Sequence, residues 1–137
     1  MKSMFLCAKN FNKDISGWDV SKVTDMESMF LCAANFNQDI GRWNVSNVEN
    51  MKGMFRESKL FNQDISKWDT SNVTTMEWMF ADAYRFNQPI GGWDVSKVTI
   101  MEQMFDATNF NQDISNWDIP RTQCSAQCSA QCSLRTG

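Results

Sequence analysis

Histidine is absent from this chain of 137 residues. Its absence removes the commonest general base, the usual partner of a catalytic Ser or Cys, and the commonest metal ligand. Carboxylates are present, but Asp14 and Asp19 recur in other copies of a repeat, whereas a catalytic pair should be unique and lie in a pocket. The sequence therefore predicts a protein that is not an enzyme and that needs no metal or other cofactor.

Long apolar runs and basic runs are also missing. No stretch approaches the 18 or so apolar residues of a membrane-spanning helix. The net charge is −3, and the Lys and Arg residues are scattered, so nothing indicates a nucleic-acid partner. The opening MKSMFLCAKNFN aligns residue for residue with MESMFLCAANFN at 26–37, so we interpret it as a repeat copy and find no convincing signal peptide.

A repeat of 25 residues organises the chain. Met4, Met29, Met54, Met79 and Met104 are evenly spaced, and a Trp follows each of them near the end of the phrase MFLCAANFNQDIGRW or its variants. Such a period is typical of architectures in which each unit is too small to bury its own apolar face. We therefore expect five units to stack on one another over residues 1–119.

The first part of each unit predicts a short helix. Met26, Met29, Phe30 and Ala33 have the spacing of one helical face. Thr24 and Glu27 have the spacing of a capping box, which recurs at 74–77 and 99–102.

The second part predicts a short strand. In Trp18-Asp19-Val20 the apolar residues alternate with a polar one, and Ile15, Trp18, Val20 and Val23 follow the spacing of a leucine-rich repeat. Together the two parts predict an α/β solenoid, a leucine-rich-repeat-like array of five 25-residue units, each with a short helix and a short parallel strand.

The phrases FNQDISxWDVSNVT and MxxMFxxA resemble the 25-residue repeat of BspA-like leucine-rich-repeat surface proteins and the lipoprotein-associated repeat of mycoplasma surface proteins. The resemblance covers residues 1 to about 119. It implies a cell-surface or extracellular location and a non-catalytic module for protein or glycan binding or adhesion, whose ligand is undefined. A structural spacer in a longer surface protein and a calcium-stabilised repeat module are the alternatives.

Stacking of equivalent residues predicts two ladders inside the array. One is a column of indole rings; the other is a column of amides that satisfy backbone groups where the chain turns. Their members are Trp18, Trp43, Trp68, Trp93 and Trp117, and Asn12, Asn37, Asn62, Asn87 and Asn111.

The outward face of the predicted strands is the candidate binding surface. It comprises Asp19, Ser21, Arg42, Asn44, Ser46, Lys67, Asp69, Ser71, Asp94, Ser96 and Asp118. Stacked carboxylates repel, and a cation such as calcium would relieve that repulsion, but one or two oxygens per unit fall short of the six to eight that calcium prefers. Local bonds from these side chains to the backbone are the other interpretation. Trp78 and Tyr84, at non-core positions of the fourth predicted helix, form either an exposed patch or a contact with the next helix.

Cysteine occurs in two settings. Cys7 and Cys32 share one position in successive units, and on a widely spaced helical side their Cα atoms would exceed the disulfide limit of about 7 Å, so we expect free, partly buried thiols. From Pro120 the pattern gives way to a low-complexity tail, residues 120–137, with Cys124, Cys128 and Cys132. We predict this tail to be disordered; the functional alternative is cross-linking through an unpaired thiol in an oxidising medium. Both ends of the array lack caps, which makes end-to-end self-association a further hypothesis.

Overall fold

Each copy of the repeat forms one layer of a stack in the computed structural model, which describes residues 1–118. Layers 1 to 4 are residues 1–25, 26–50, 51–75 and 76–100, and layer 5 begins at residue 101. Backbone hydrogen bonds join residues 24 to 26 apart, as in Ser28 N to Lys52 O at 2.9 Å. Three isolated parallel bridges link successive layers, from Asp25 to Asn50, from Asn50 to Thr75 and from Thr75 to Ile100.

The predicted α/β solenoid of helix-plus-strand units is wrong. Residues 1–118 contain no helix, and their pairing into strands goes no further than the three bridges. Each layer is built from consecutive turns. Met29 N, Leu31 N and Ala33 N bond to the carbonyl oxygens three residues earlier, at 3.0 to 3.2 Å, instead of four residues earlier as in an α-helix.

A left-handed backbone at two positions per layer explains why the helical apolar spacing does not produce a helix. The φ angles are 56° at Ser28 and 64° at Cys32, and the equivalent residues of the other layers share them. An α-helix requires φ near −63° throughout. The positive φ angles alternate the direction of the peptide groups, so Phe30 N donates to Met54 O at 2.9 Å in the next layer while its neighbours bond within the turn. Met26, Met29, Phe30 and Ala33 nevertheless remain fully buried.

The predicted capping boxes are also absent from the described residues. Glu27 N bonds to the side chain of Asp25 at 2.9 Å rather than to Thr24. The hydroxyls of Thr74 and Thr99 donate instead to carbonyl oxygens of the preceding layer, at 3.1 and 3.3 Å. Because no helix starts here, the Thr side chains do not cap one and instead form hydrogen bonds between layers.

The inward and outward alternation predicted for the second part is confirmed, although its strand is not. Trp43 and Val45 are 4 % and 1 % exposed, while Asn44 between them is exposed. Turns on either side produce this pattern: Trp43 N bonds to Ile40 O at 3.1 Å, and Val48 N bonds to Val45 O at 2.9 Å.

Two columns of phenylalanine rings run through the core. Within layer 2, Phe30 and Phe36 stack at 4.0 Å. From layer to layer, equivalent rings lie 5.5 to 6.0 Å apart and nearly parallel. The wider spacing expected on the side of Cys7 and Cys32 is therefore wrong, since no helices there hold the layers apart.

None of the described residues forms a helix long and apolar enough to cross a membrane. The predicted tail, residues 120–137, lies outside the described residues, and the boundary at 119 stays a prediction.

Candidate binding surface

The predicted outward column consists of small turns closed by side chains. Asp19 Oδ1 accepts hydrogen bonds from Ser21 N at 3.0 Å and from Ser21 Oγ at 2.6 Å. Asp69 binds Ser71 with the same two distances, and Asn44 binds Ser46 at 3.1 and 2.6 Å. Ser96 N donates to Asp94 at 2.9 Å. Because these side chains share one conformation in successive layers, they form a regular exposed row.

The hydrogen bonds within these turns lower the pKa values of the aspartates in the row. The hydroxyl of Ser21, and then its backbone N–H, stabilise the charged carboxylate and lower the pKa of Asp19 from its ordinary value. The same pair of hydrogen bonds lowers the pKa of Asp69 and of Asp94. One carboxylate oxygen of each Asp is thus committed to its own turn. Asn44 replaces the carboxylate without loss of either hydrogen bond, so the turn needs the acceptor and not the charge.

A second row of turns lies five residues earlier in layers 1, 2 and 3 and at the equivalent place in layer 5, whereas layer 4 has Pro89 there. Asp39 accepts from Gly41 N and Asp64 accepts from Ser66 N, each at 2.9 Å. A side chain on Gly41 would place its Cβ 2.5 Å from Asp64 O, so glycine lets layers 2 and 3 approach closely here. The Ser66 hydrogen bonds, and then the charge of Lys67, lower the pKa of Asp64.

Beside the second row lies a shallow groove of about 240 Å³, which spans layers 2 and 3. We call it the layer 2–3 groove. Its lining residues are Asp39, Gly41, Arg42, Gln63, Asp64 and Lys67. Arg42 and Lys67 are exposed and occupy equivalent positions, at which layers 1 and 4 have Gly17 and Gly92. The groove therefore places two adjacent cations beside two carboxylates.

The structure separates the predicted binding residues into two groups. Arg42 and Lys67 meet in the groove, whereas the Asp and Ser residues belong to the outer row of turns; Asp118 is exposed at the end of that row. Asp39, Gln63 and Asp64 were missed, because the NQD phrase recurs and nothing in it marks one copy. The signal that could have found this groove is the pair of basic residues before Trp43 and Trp68, since layers 1 and 4 have Gly at that position.

The amide ladder runs beside the groove. Asn37 Oδ1 accepts from Asn62 N at 2.9 Å and from Gln63 Nε2 at 3.1 Å, both in the next layer. The equivalent backbone bonds join Asn12 to Asn37, Asn62 to Asn87 and Asn87 to Asn111. Gln63 is held by this ladder, which orients one wall of the groove.

The indole column lies beneath the turns. Trp68 and Trp93 stack at 6.3 Å, and Trp93 and Trp117 at 6.5 Å, and all three are at most 4 % exposed. Trp18 departs from the prediction, because in layer 1 it is 41 % exposed.

Trp78 contacts the neighbouring layers, whereas Tyr84 is exposed. The guanidinium of Arg56 and the ammonium of Lys52 lie 4.9 and 5.4 Å from the centre of the Trp78 ring, and its Nε1 donates to Gln103. Lys52 also pairs with Glu77 at 2.8 Å. The exposed-patch interpretation therefore fits Tyr84, 46 % exposed, and not Trp78.

No curated protein and no solved structure matches the chain. One family does: its description reads Mycoplasma protein of unknown function, DUF285, and it matches residues 1–64 and, in an overlapping second match, residues 40–134. These matches run through every layer described above. The chain therefore belongs to the DUF285 family of repeat-containing Mycoplasma proteins.

Proposed function

We propose that this protein is a non-catalytic surface module that binds an acidic glycan through the layer 2–3 groove. The observation that carries the proposal is the pairing of Arg42 and Lys67 in one concavity. Among residues 1–118 neither side chain takes part in a salt bridge of 4.0 Å or less. Both cations are therefore available to a ligand.

The chemistry of the groove suits a sugar that carries a carboxylate or a sulfate. Arg42 offers a planar fork of N–H donors that fits such a group, and Lys67 offers a second positive charge. Asp39 and Asp64 each keep an oxygen that can accept from sugar hydroxyls, since their pairing with Gly41 N and Ser66 N uses Oδ1. A groove of about 240 Å³ holds one or two sugar rings, which corresponds to weak binding unless many copies act together.

The location of the module rests on resemblance. The FNQDISxWDV and MxxMFxxA phrases resemble those of BspA-like surface proteins, which supports a cell-surface or extracellular role in adhesion. Among residues 1–118, the residue before the Trp is basic only in layers 2 and 3, and this departure from uniform repetition fits a binding role better than that of a spacer.

The test is an array of neutral, carboxylated and sulfated glycans probed with the full chain, followed by titration of any hit. Replacing the groove cations together, in R42A/K67A, should weaken binding at least tenfold. Its charge-matched control is K22A/K59A, because Lys22 and Lys59 are exposed but do not line the groove. The control should bind as the unchanged protein does.

Three results would contradict the proposal. The array could show no acidic glycan; the two double variants could lose affinity equally, which would indicate general electrostatic attraction; or R42A/K67A could bind normally. A protein ligand captured through the same two cations would replace the glycan but keep the groove. An unchanged melting temperature in millimolar calcium is the expected result for a groove that needs no cation.

End-to-end self-association is a second candidate, favoured by the apolar side chains on layer 1. Met4, Leu6 and Trp18, all in layer 1, are 51 %, 48 % and 41 % exposed. If these exposed apolar side chains join two copies, sedimentation should show a concentration-dependent dimer that L6E abolishes. The matched variant L60E alters another exposed Leu, 39 % exposed in layer 3, and should leave the dimer intact. A monomer at high concentration would exclude this candidate.

A further inference from the structure

We propose that Cys7 and Cys32 form a redox pair that closes a disulfide between layers 1 and 2. Both thiols are free in this structure. The inference comes from the register of the two layers and from the distance between them.

The register places the two cysteines at the same point of adjacent layers. Their backbones share an uncommon left-handed conformation, with φ angles of 55° and 64°. Cys7 N donates to Leu31 O at 2.8 Å, so the backbone of Cys7 lies directly against the residue that precedes Cys32. Two side chains that start from the same conformation in stacked layers leave the backbone in the same direction.

The layer spacing falls within the range that a disulfide needs. Phe5 and Phe30 lie 5.5 Å apart and nearly parallel, and Phe11 and Phe36 lie 5.9 Å apart. These pairs flank the cysteines on both sides in the sequence, so the Cα atoms of Cys7 and Cys32 are separated by a similar translation. Disulfides join Cα atoms about 4.4–6.8 Å apart. A disulfide also requires the two Cβ atoms to lie about 3.5–4.5 Å apart, so closing the bond draws the two backbones together locally by about 1–2 Å and does not separate the layers.

The surroundings of the two thiols give them different roles in the reaction. Cys7 is exposed and accessible to an oxidant, whereas Cys32 is half-buried and its Sγ donates to Glu57 Oε2 at 3.7 Å. The hydrogen bond with the Cys7 thiol, followed by burial and the negative charge of Glu57, raises the pKa of Cys32. Cys7 is thus the thiol that attacks first, and Cys32 resolves the product.

The oxidant is a small disulfide such as glutathione disulfide. The Cys7 thiolate attacks one of its sulfurs, forms a mixed disulfide and releases one glutathione thiolate. Cys32 loses its proton to solvent and attacks Cys7 Sγ, so the Cys7–Cys32 bond forms and a second glutathione thiolate leaves. Two thiols are oxidised and one small disulfide is reduced to two thiols.

The bond would tie down layer 1. This layer carries the exposed Met4, Leu6 and Trp18 and contacts layer 2 on one side. A cross-link across 25 residues restricts the unfolded chain, so oxidation should raise the melting temperature by several degrees.

The experiment uses the full chain with Cys124, Cys128 and Cys132 replaced by Ser, so that only this pair remains. After equilibration in a glutathione redox buffer, the chain is digested with trypsin without reduction. The expected product joins peptide 3–9 to peptide 23–42 and lacks two hydrogen atoms relative to the separate peptides. The same equilibrium measured in urea gives the reference for the unfolded chain. Folding should favour the disulfide at least tenfold over that reference.

Two variants test the register in the same background. C7S/E57C moves the pair to layers 2 and 3 at the equivalent positions and should cross-link as readily. C32S/D82C separates the two cysteines by three layers and should form no intramolecular bond when folded. A native disulfide that is no more favoured than in urea, or a C32S/D82C pair that closes as well as the natural one, would overturn the proposal.

Discussion

The indole Nε1 of Trp43 donates a hydrogen bond of 3.1 Å to the backbone carbonyl of Ile15, one layer away. The relationship recurs in Trp68 with Ile40, Trp93 with Ile65 and Trp117 with Ile90, at 3.0 to 3.2 Å. Each Trp thus fills the core of its own layer and satisfies a buried carbonyl of the preceding one, which couples packing to register.

Replacing a buried Trp of this column should destabilise the stack. Trp68→Phe removes the hydrogen bond to Ile40 O and part of the apolar contact with Trp93, so we expect a loss of about 1–3 kcal/mol in the free energy of unfolding. Urea denaturation followed by circular dichroism measures it. The matched control Trp18→Phe alters a ring that is 41 % exposed and should cost about 0.5 kcal/mol or less. Equal losses in the two variants would contradict the role assigned to the column.

Two adjacent glycines should differ sharply in their tolerance of a methyl group. A Cβ on Gly91 would lie 2.3 Å from the carbonyl oxygen of Asp113, whereas a Cβ on Gly92 meets nothing within 4 Å. Because the obstacle at Gly91 is backbone, G91A must separate layers 4 and 5 and should lose at least about 2 kcal/mol of unfolding free energy. G92A should change stability by less than about 0.5 kcal/mol. Thermal melts of the two variants, one residue apart, check the close approach; similar melting temperatures would refute it.

The amide ladder should depend on its acceptor oxygen. Asn62 Oδ1 accepts from Asn87 N at 3.0 Å and from Gln88 Nε2 at 2.9 Å. N62A leaves both donors without this partner and should cost about 1–3 kcal/mol. N62D keeps an acceptor at the same place and should retain most of the stability at neutral pH. If N62D is as unstable as N62A in urea denaturation, the amide nitrogen rather than the oxygen is what the ladder requires.

Acid should weaken the stack through the Asp–Ser turns. The pKa values of Asp19, Asp69 and Asp94 are lowered in the folded protein by hydrogen bonds from Ser21, Ser71 and Ser96. A lowered folded pKa means that the unfolded chain binds protons first as the pH falls. The stabilisation is therefore present above the ordinary carboxyl pKa of about 4 and is lost as the pH drops through the lower folded values.

The measurement compares urea midpoints at about pH 6 and about pH 3, on either side of the ordinary carboxyl pKa. D19N/D69N/D94N should lose less stability between these pH values than the unchanged protein, because Asn44 shows that an amide closes the same turn. D106N changes an exposed carboxylate outside these turns and serves as the control. If the triple variant loses as much stability between the two pH values as the D106N control does, the Asp–Ser turns are not the source of the acid sensitivity.

The buried residues could be predicted, because large apolar residues recur at equivalent positions of successive units. Phe30, Phe55 and Phe80 occupy equivalent positions and are all fully buried, as the apolar spacing indicates. The groove was only half predictable. Arg42 and Lys67 stand out in the sequence, but Asp39 and Asp64 look like the other Asp copies of the phrase until stacking places both beside the two cations.

The sequence by itself determined the 25-residue period, the apolar positions that face the core, and the membership of a repeat family. Only the tertiary structure decided the backbone, because the spacing of Met26, Met29 and Phe30 suits any conformation that turns three side chains to one side. Hydrogen bonds to the next layer compensate for the left-handed residues Ser28 and Cys32, and that compensation exists only when the layers are stacked. A short stretch read alone therefore favours a helix, whereas the stacked chain satisfies half of the same N–H groups across the layer boundary.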